Sequence, residues 1–96
     1  MILFAKKQYD QRRIAVIVCS NFTVYFKLVE VLRVLFNMCD HTYIDEKYIR
    51  VFDDFPNTKF VSMAGLRVLT NLSPKTAAAQ RLQDWADNLF TCDQIN

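Results

Sequence analysis

The chain has very few of the residues that usually interrupt secondary structure. Gly65 is the only glycine in 96 residues, where average usage would give about seven, and there are two prolines. Gly65 follows Ser62 in "TKFVSMAGLRVL", a pattern typical of a strand that leads into an amphipathic helix capped by Ser62. A lone glycine near a helix start predicts that another backbone passes close to the chain at that point.

Signals for disulfides and metal sites are also sparse. The three cysteines, Cys19, Cys39 and Cys92, are far apart and form no C-x-x-C pair, which indicates reduced thiols. The only histidine, His41, follows Cys39 and Asp40, and three adjacent residues cannot close a tetrahedral metal site without distant partners. We therefore expect no bound metal and no cofactor.

No constellation typical of an enzyme is present in the sequence. With one histidine a general base is scarce, and the carboxylate pairs Asp45-Glu46 and Asp53-Asp54 resemble charges at helix ends. A chain with one glycine has no glycine-rich loop to hold a phosphate. The sequence predicts a protein that is not an enzyme.

Long apolar runs are missing as well. The longest uninterrupted one spans residues 14–19, and the richer stretch 22–36 is broken by Lys27, Glu30 and Arg33, well short of the roughly 20 residues of a membrane span. The first charges follow a very short apolar run, the reverse of a secretory signal. We expect a soluble, intracellular protein with no membrane partner.

Large apolar residues, in contrast, are plentiful. The composition is 52% hydrophobic and includes eight phenylalanines, four tyrosines and one tryptophan, Trp85. This is enough to bury a core in a chain of this length. No linker or repeat divides the sequence, so residues 1–96 are predicted to form a single domain.

The order of hydrophobic patterns predicts an α+β fold. Three strands are expected at 2–7, 12–19 and 22–26, with "QYDQ" as the first turn, and a further short strand at 58–62. Helices are expected at 28–37, 45–52 and 62–72, and a last helix begins at Ser73-Pro74 and buries Trp85. The prediction is a small N-terminal antiparallel meander and the further short strand, packed against about four helices.

Positive charge is concentrated in the N-terminal third. The net charge is +2, but residues 1–33 carry +4 and the remainder −2. Lys6, Lys7, Arg12 and Arg13 flank the predicted hairpin turn and are candidates for phosphate contacts, with Tyr9 beside them as a candidate base-stacking residue. The same charges could instead protect edge strands from association.

A second candidate patch contains Lys47 and Arg50 on the predicted short helix and Lys59 at the start of the next strand. Four acidic residues surround it, namely Asp45, Glu46, Asp53 and Asp54. The negative charges of these four carboxylates would repel a phosphate group. The interpretation favoured for the cations of this patch is therefore that they are solvated helix charges.

Three segments in a fixed order resemble a known domain. They are "VYFKLVEVLRVL", "TKFVSMAGLRVL" with its Ser-x-x-Gly-Leu core, and "AAAQRLQDWADNLF". From about Phe4 to Phe90 the chain is similar to the Bro-N domain, the N-terminal module of baculovirus repeated open reading frame proteins, found also in other large DNA viruses and in phage antirepressors. The resemblance implies that Glu30, Gly65 and Trp85 of this chain correspond to structural residues of the family pattern.

The chain departs from the family pattern where a Leu-Gly-Tyr usually ends the first helix. Here Phe36 and Asn37 follow Leu35, so the turn must be built differently. Many family members continue into a second domain, whereas this sequence ends six residues after Phe90, as a stand-alone or an excised domain would.

The resemblance implies a non-enzymatic DNA-binding regulatory module that acts in the nucleus or cytoplasm of an infected host cell. The DNA could be duplex or single-stranded. The alternative is a protein-interaction or dimerisation module that keeps the fold without strong DNA binding, which the modest net charge and many large apolar residues favour. The sequence is compatible with a homodimer and with a host or viral protein partner.

Overall fold

The computed structural model describes residues 2–37 and 44–89. The fold is α+β, with five strands and three α-helices in this part of the chain. The strands are β1 Ile2–Tyr9, β2 Arg12–Cys19, β3 Val24–Lys27, β4 Ile49–Phe52 and β5 Phe55–Ser62. The helices are α1 Leu28–Phe36, α2 Met63–Leu72 and α3 Thr76–Asp87.

All five strands form one antiparallel sheet in the order β1-β2-β3-β5-β4. The predicted N-terminal meander is confirmed, and β5 adds to its β3 side. The β1–β2 hairpin turns over two residues, Asp10 and Gln11, because β1 runs through Tyr9, which pairs with Arg12. Asp10 has a positive φ of 53°, a conformation that aspartate tolerates better than most residues.

The three helices cover one face of the sheet, which we call the helix face. Side chains alternate along each strand, so every second residue contributes to this face. Its core joins Ile14, Val16 and Phe26 of the sheet to buried helix residues such as Leu32 and Leu82. Most of the fully buried aliphatic side chains lie in this layer, and their removal from water is the main stabilising term.

The other face of the sheet, the open face, carries a second apolar cluster. Its buried members are Ala15, Ile17, Phe52 and Phe60, and Tyr25 and Phe55 pack against them. Among the described residues no helix covers this face, so the aromatic rings shield one another. The guanidinium of Arg50 lies over the Phe52 ring, 4.5 Å from its centroid, and adds a cation–π contact.

The predicted helix over 45–52 is wrong. Asp45 does cap a turn, since its Oδ1 accepts a hydrogen bond from the backbone N–H of Lys47 (3.0 Å), but the helical part is a single 3₁₀ turn, Glu46–Tyr48. Ile49–Phe52 is then a strand paired with β5. The strand is favoured because its backbone N–H and C=O groups form hydrogen bonds with β5, whereas a short isolated helix is only marginally stable. The described helices therefore number three rather than about four.

Other predicted boundaries also differ from the structure. The first strand ends at Tyr9 and not at residue 7, and β5 begins at Phe55 and not at residue 58. The third strand begins at Val24, so Phe22 lies in the preceding turn. The last helix begins at Thr76 with Lys75 as its N-cap, so Ser73 does not cap it. Ser73 is instead buried, and its hydroxyl donates to the backbone oxygen of Leu35 (2.6 Å) and accepts from the N–H of Lys75 (3.1 Å).

Asn37 ends α1 in place of the glycine that the family pattern would supply. Its φ of 60° lies in the left-handed region that ends many helices, and asparagine is the residue that most readily replaces glycine there. Its side-chain oxygen also accepts a hydrogen bond from Lys75 Nζ, which ties the end of α1 to the start of α3.

Gly65 lies in the first turn of α2 and is buried. The N-cap prediction for Ser62 is confirmed, because Ser62 Oγ accepts a hydrogen bond from Gly65 N–H (3.1 Å). A Cβ built at Gly65 would lie 2.4 Å from Val61 Cγ2 and 2.7 Å from Tyr48 Cβ. The close approach predicted at this glycine is therefore present, but the neighbours are two side chains and not another backbone.

Glu30 connects α1 to the sheet. Strand β3 pairs with β2 only over Val16–Val18, so the N–H of Ala15 has no strand partner on that side, and it donates to Glu30 Oε1 (2.7 Å). Ala15 is 2% exposed, so this amide is removed from water.

Glu30→Ala should leave that buried amide without an acceptor and lower the free energy of unfolding by about 1–3 kcal/mol. Glu30→Gln keeps a side-chain oxygen in reach and should cost clearly less. Urea denaturation followed by circular dichroism measures both. Equal losses for the two variants would show that the hydrogen bond to Ala15 is not the stabilising contact.

Two results concern membranes and metals. Within residues 2–37 and 44–89, no helix has the length and apolar character to cross a bilayer. Over the same residues, no group of histidine, cysteine or acidic side chains is arranged to hold a metal ion. The candidates Cys39, Asp40, His41 and Cys92 lie outside the described residues, as does Phe90 at the end of the Bro-N resemblance, while Cys19 is a free thiol.

Candidate nucleic-acid interface

The four basic residues of the hairpin do not form one cluster. Directly paired residues share a face of the sheet. Lys7 pairs with Ile14, and Arg12 pairs with Tyr9, which places both cations on the helix face. Lys6 pairs with Ala15 on the open face, and the alternation of β2 puts Arg13 there too. The period of two thus splits the predicted patch into two pairs on opposite sides.

The helix-face end of the hairpin adjoins a basic concavity of about 190 Å³. Its four cationic side chains come from four parts of the chain: Arg12 of β2, Arg33 of α1, Lys75 at the start of α3, and Arg81 within α3. Asp10 in the hairpin turn is the one carboxylate in its lining. Four cations against one acid give this depression a strongly electropositive lining.

The arginines of the basic concavity are available for a ligand. The ion pair between Arg67 and Asp87 (3.0 Å) involves none of the residues that line this concavity. Arg12, Arg33 and Arg81 are exposed to solvent. Lys75 donates a hydrogen bond to the side-chain oxygen of Asn37. Guanidinium groups that converge without carboxylate partners are suited to bind phosphate oxygens in pairs.

A second depression, the tryptophan concavity, continues from the first. It has a volume of about 510 Å³, and its lining shares Tyr9, Asp10 and Arg81 with the basic concavity. Trp85 adds an aromatic surface one helical turn after Arg81, and Asp84 adds a carboxylate. Cationic and aromatic groups thus lie side by side along the edge of α3.

Trp85 is half-buried rather than fully enclosed in the core. Its ring lies 5.4 Å from the Tyr9 ring and 6.1 Å from the Phe26 ring, centroid to centroid. Its Nε1–H donates to the backbone oxygen of Gln8 (2.8 Å), which ties α3 to β1. One part of the indole therefore packs on the core while another part lines the tryptophan concavity.

Tyr9, the predicted base-stacking residue, is packed in the core of the helix face. Tyr9 is the last residue of β1, not part of the turn, and only 7% of its surface is exposed. Its ring packs edge-on against Trp85. Strand alternation directs Tyr9 to the helix face, where it also contributes to the lining of a depression at the end of the hairpin.

The second predicted patch lies at the other side of the sheet. Arg50 is in β4 and Lys59 in β5, and the sheet order places β4 and β1 on opposite edges, roughly 19 Å apart at the usual strand spacing. Lys47 Nζ lies 5.1 Å from the centroid of the Tyr48 ring, and Arg50 lies over two aromatic rings of the open face. These three residues do not join the basic concavity.

Sequence reasoning missed Arg33, Lys75 and Arg81 as partners of Arg12. A signal existed for Arg33, which interrupts the apolar stretch 22–36 on the polar edge of its helix. Lys75 and Arg81 lie in a segment whose net charge is negative, so no local pattern marked them.

Comparisons of the chain with family models, with curated proteins and with solved structures find no match.

Proposed function

We propose that this chain is a nucleic-acid-binding module that contacts phosphates through the basic concavity. The observation that carries the proposal is the convergence of Arg12, Arg33, Lys75 and Arg81 on one depression with a single carboxylate in its lining. Like charges held together cost free energy in the unbound protein, and phosphate groups relieve that cost.

The placement of these cations supports a backbone contact more than a reading of base sequence. They line a small depression and come from β2, α1 and α3, whereas groove-reading side chains usually lie together on one helix or ribbon. We therefore propose binding that depends little on base sequence.

The resemblance to the Bro-N domain supports DNA as the ligand. It also supports a non-enzymatic regulatory role in the nucleus or cytoplasm of an infected cell. This revises the sequence-based proposal in one respect: Arg12 is the hairpin's contribution to the phosphate site, and the helices supply the other cations. Lys6 and Arg13 on the open face are left outside it.

The second candidate function is a protein-interaction module without strong nucleic-acid binding. It is supported by large apolar side chains that are exposed at one end of the sheet, Leu3, Phe4 and Phe22. Such surfaces on small proteins often mark contacts with other proteins.

The proposal is tested by titrating the chain into fluorescein-labelled duplex and single-stranded DNA of unrelated sequences across a salt series. We expect binding at low salt and a linear fall of log K with log salt, with a slope near −3 for duplex, since about three phosphates are neutralised at −0.9 each. Trp85 is the only tryptophan and adjoins Arg81, so its emission should change on binding. Absence of binding at low salt would favour the interaction module instead.

A further inference from the structure

The tryptophan concavity and the basic concavity lie side by side but differ in charge. The basic concavity has four cations and a single carboxylate, Asp10, in its lining. The lining of the tryptophan concavity has one cation, Arg81, and two carboxylates, Asp10 and Asp84. A phosphate group is therefore favoured in the basic concavity and repelled from the tryptophan concavity. A neutral group that is attached to the phosphate meets no such repulsion.

One stripe of α3 forms much of the tryptophan concavity. Its members recur at helical spacing and are Arg81, Asp84, Trp85 and Asn88. Trp85 follows Arg81 by four residues, which is about 6 Å along the helix axis. This separation is comparable with the distance between the phosphate and the base of one nucleotide. A phosphate that Arg81 contacts therefore brings its own base within reach of Trp85.

Trp85 is held in place by contacts within the protein. Its Nε1–H donates to the backbone oxygen of Gln8 (2.8 Å), and its ring packs against the edge of the Tyr9 ring. A side chain that is already fixed loses little conformational entropy when a ligand packs on it. The part of the indole that lines the concavity of about 510 Å³ is thus a preformed surface for a planar ring.

The polar groups beside the indole present hydrogen-bond acceptors. Asp84 Oδ1 accepts a hydrogen bond from Gln80 Nε2 (3.1 Å), and Asn88 Nδ2 donates to the backbone oxygen of Asp84 (2.7 Å). These bonds hold both side chains along α3. The Asp84 carboxylate can only accept hydrogen bonds, so it favours a ring whose edge carries N–H donors.

Guanine is the base that fits such an acceptor best. Its N1–H and N2–H donors are neighbours on one edge and match the two oxygens of a carboxylate. Thymine has one donor on that edge, N3–H, between two carbonyl oxygens that a carboxylate repels. Adenine and cytosine each place a ring-nitrogen acceptor beside their amino group.

We propose that the tryptophan concavity binds an unpaired guanine base, which stacks on Trp85 and donates N1–H and N2–H to the Asp84 carboxylate. This inference rests on the proposed function, because the phosphate next to that guanine lies in the basic concavity. In a duplex the same edge is paired and the ring faces are covered by neighbouring bases. Duplex binding therefore stays independent of base sequence, and the guanine preference belongs to single strands.

The proposal is tested with three fluorescein-labelled pentanucleotides, d(TTGTT), d(TTITT) and d(TTTTT), where I is deoxyinosine. They carry the same phosphates, so differences in affinity at low salt report the central base. Fluorescence anisotropy should show d(TTGTT) binding at least about fivefold more tightly than d(TTTTT). Deoxyinosine keeps N1–H and lacks the amino group, so the affinity of d(TTITT) should lie between the other two.

Asp84→Asn tests the role of the carboxylate. The substitution keeps the shape of the side chain and replaces one acceptor with a donor, so the affinity ratio of d(TTGTT) to d(TTTTT) should fall towards one. The ratio is the readout because loss of a negative charge strengthens the binding of every strand. The matched control is Asp54→Asn, in the turn between β4 and β5 and outside both concavities, which should keep the ratio of the parent.

Quenching of tryptophan emission by acrylamide reports the stacking. Trp85 is the only tryptophan, so the quenching constant measures access to this one indole. A base stacked on the indole excludes the quencher, and the constant should fall when the protein is saturated with d(TTGTT).

The possible failures separate the base site from the phosphate contact. If the three strands bind the parent equally, or if Asp84→Asn keeps the guanine preference, the base site is wrong and the phosphate contact stands. Unchanged acrylamide quenching in the saturated complex would show that the base does not lie on Trp85. If neither these strands nor duplex DNA binds at low salt, the phosphate contact and the base site are both wrong.

Discussion

Replacing Arg12, Arg33 and Arg81 together with glutamine should weaken DNA binding at low salt by on the order of 10–100-fold and flatten the salt slope by roughly 2.7. Each substitution removes one cation from the basic concavity while Lys75 and Asp10 stay in place. The fold should persist, because exposed charges rarely contribute more than about 1 kcal/mol each. Fluorescence anisotropy measures the affinity, and circular dichroism confirms the fold.

The matched control removes three cations from the open face. Lys6, Arg13 and Lys27 lie on that face, Lys27 opposite Phe60, so their replacement by glutamine changes the net charge equally. We expect this control to bind much more like the parent, with little change in slope. If the open-face variant loses as much affinity as the concavity variant, net charge alone drives binding and the proposed site is wrong.

Gly65→Ala should destabilise the protein, although alanine is the better helix former by up to about 1 kcal/mol. The added Cβ would overlap Val61 Cγ2 and Tyr48 Cβ, at 2.4 and 2.7 Å. Neither atom is the free end of a flexible side chain: valine is stiff at χ1, and a Cβ moves only with its backbone. Overpacking of this kind costs about 1–3 kcal/mol, and Gly65→Leu should cost more. Urea denaturation measures the loss.

A double-mutant cycle tests the cause of that loss. Val61→Ala removes Cγ2, the nearest atom, so Gly65→Ala should cost less in the Val61→Ala background than in the parent. Additive losses would show that the clash with Val61 is not responsible. A parent and a Gly65→Ala variant of equal stability would remove the packing explanation for the only glycine altogether.

The parts of the fold that sequence reasoning predicted correctly depend on neighbours along the chain. The β1–β2 hairpin joins two β-rich segments, although its turn has two residues and not the four of QYDQ, and α2 begins where Ser62 can cap it. Alternation along a strand is equally local. It could have shown from the sequence that Lys6 and Lys7 lie on opposite faces, and that Tyr9 shares the face of Lys7.

The missed features depend on partners that are distant in sequence. The apolar pattern of residues 49–52 is compatible with a short helix or with a strand. The segment is a strand because it pairs with β5. The β propensity of Phe22 predicts a strand residue. Backbone hydrogen bonds from Phe22 N–H to Cys19 O and from Cys19 N–H to Thr23 O instead hold it in a turn outside the sheet.

The sequence by itself determined the class of this protein: an α+β fold with a large apolar core, few glycines and prolines and a positively charged N-terminal third. Tertiary structure alone decided which charges meet. Arg12 and Arg81 are 69 positions apart in the sequence and share one concavity. The physical reason is that sheet pleating and helix packing, and not proximity along the chain, set the distances over which charges act.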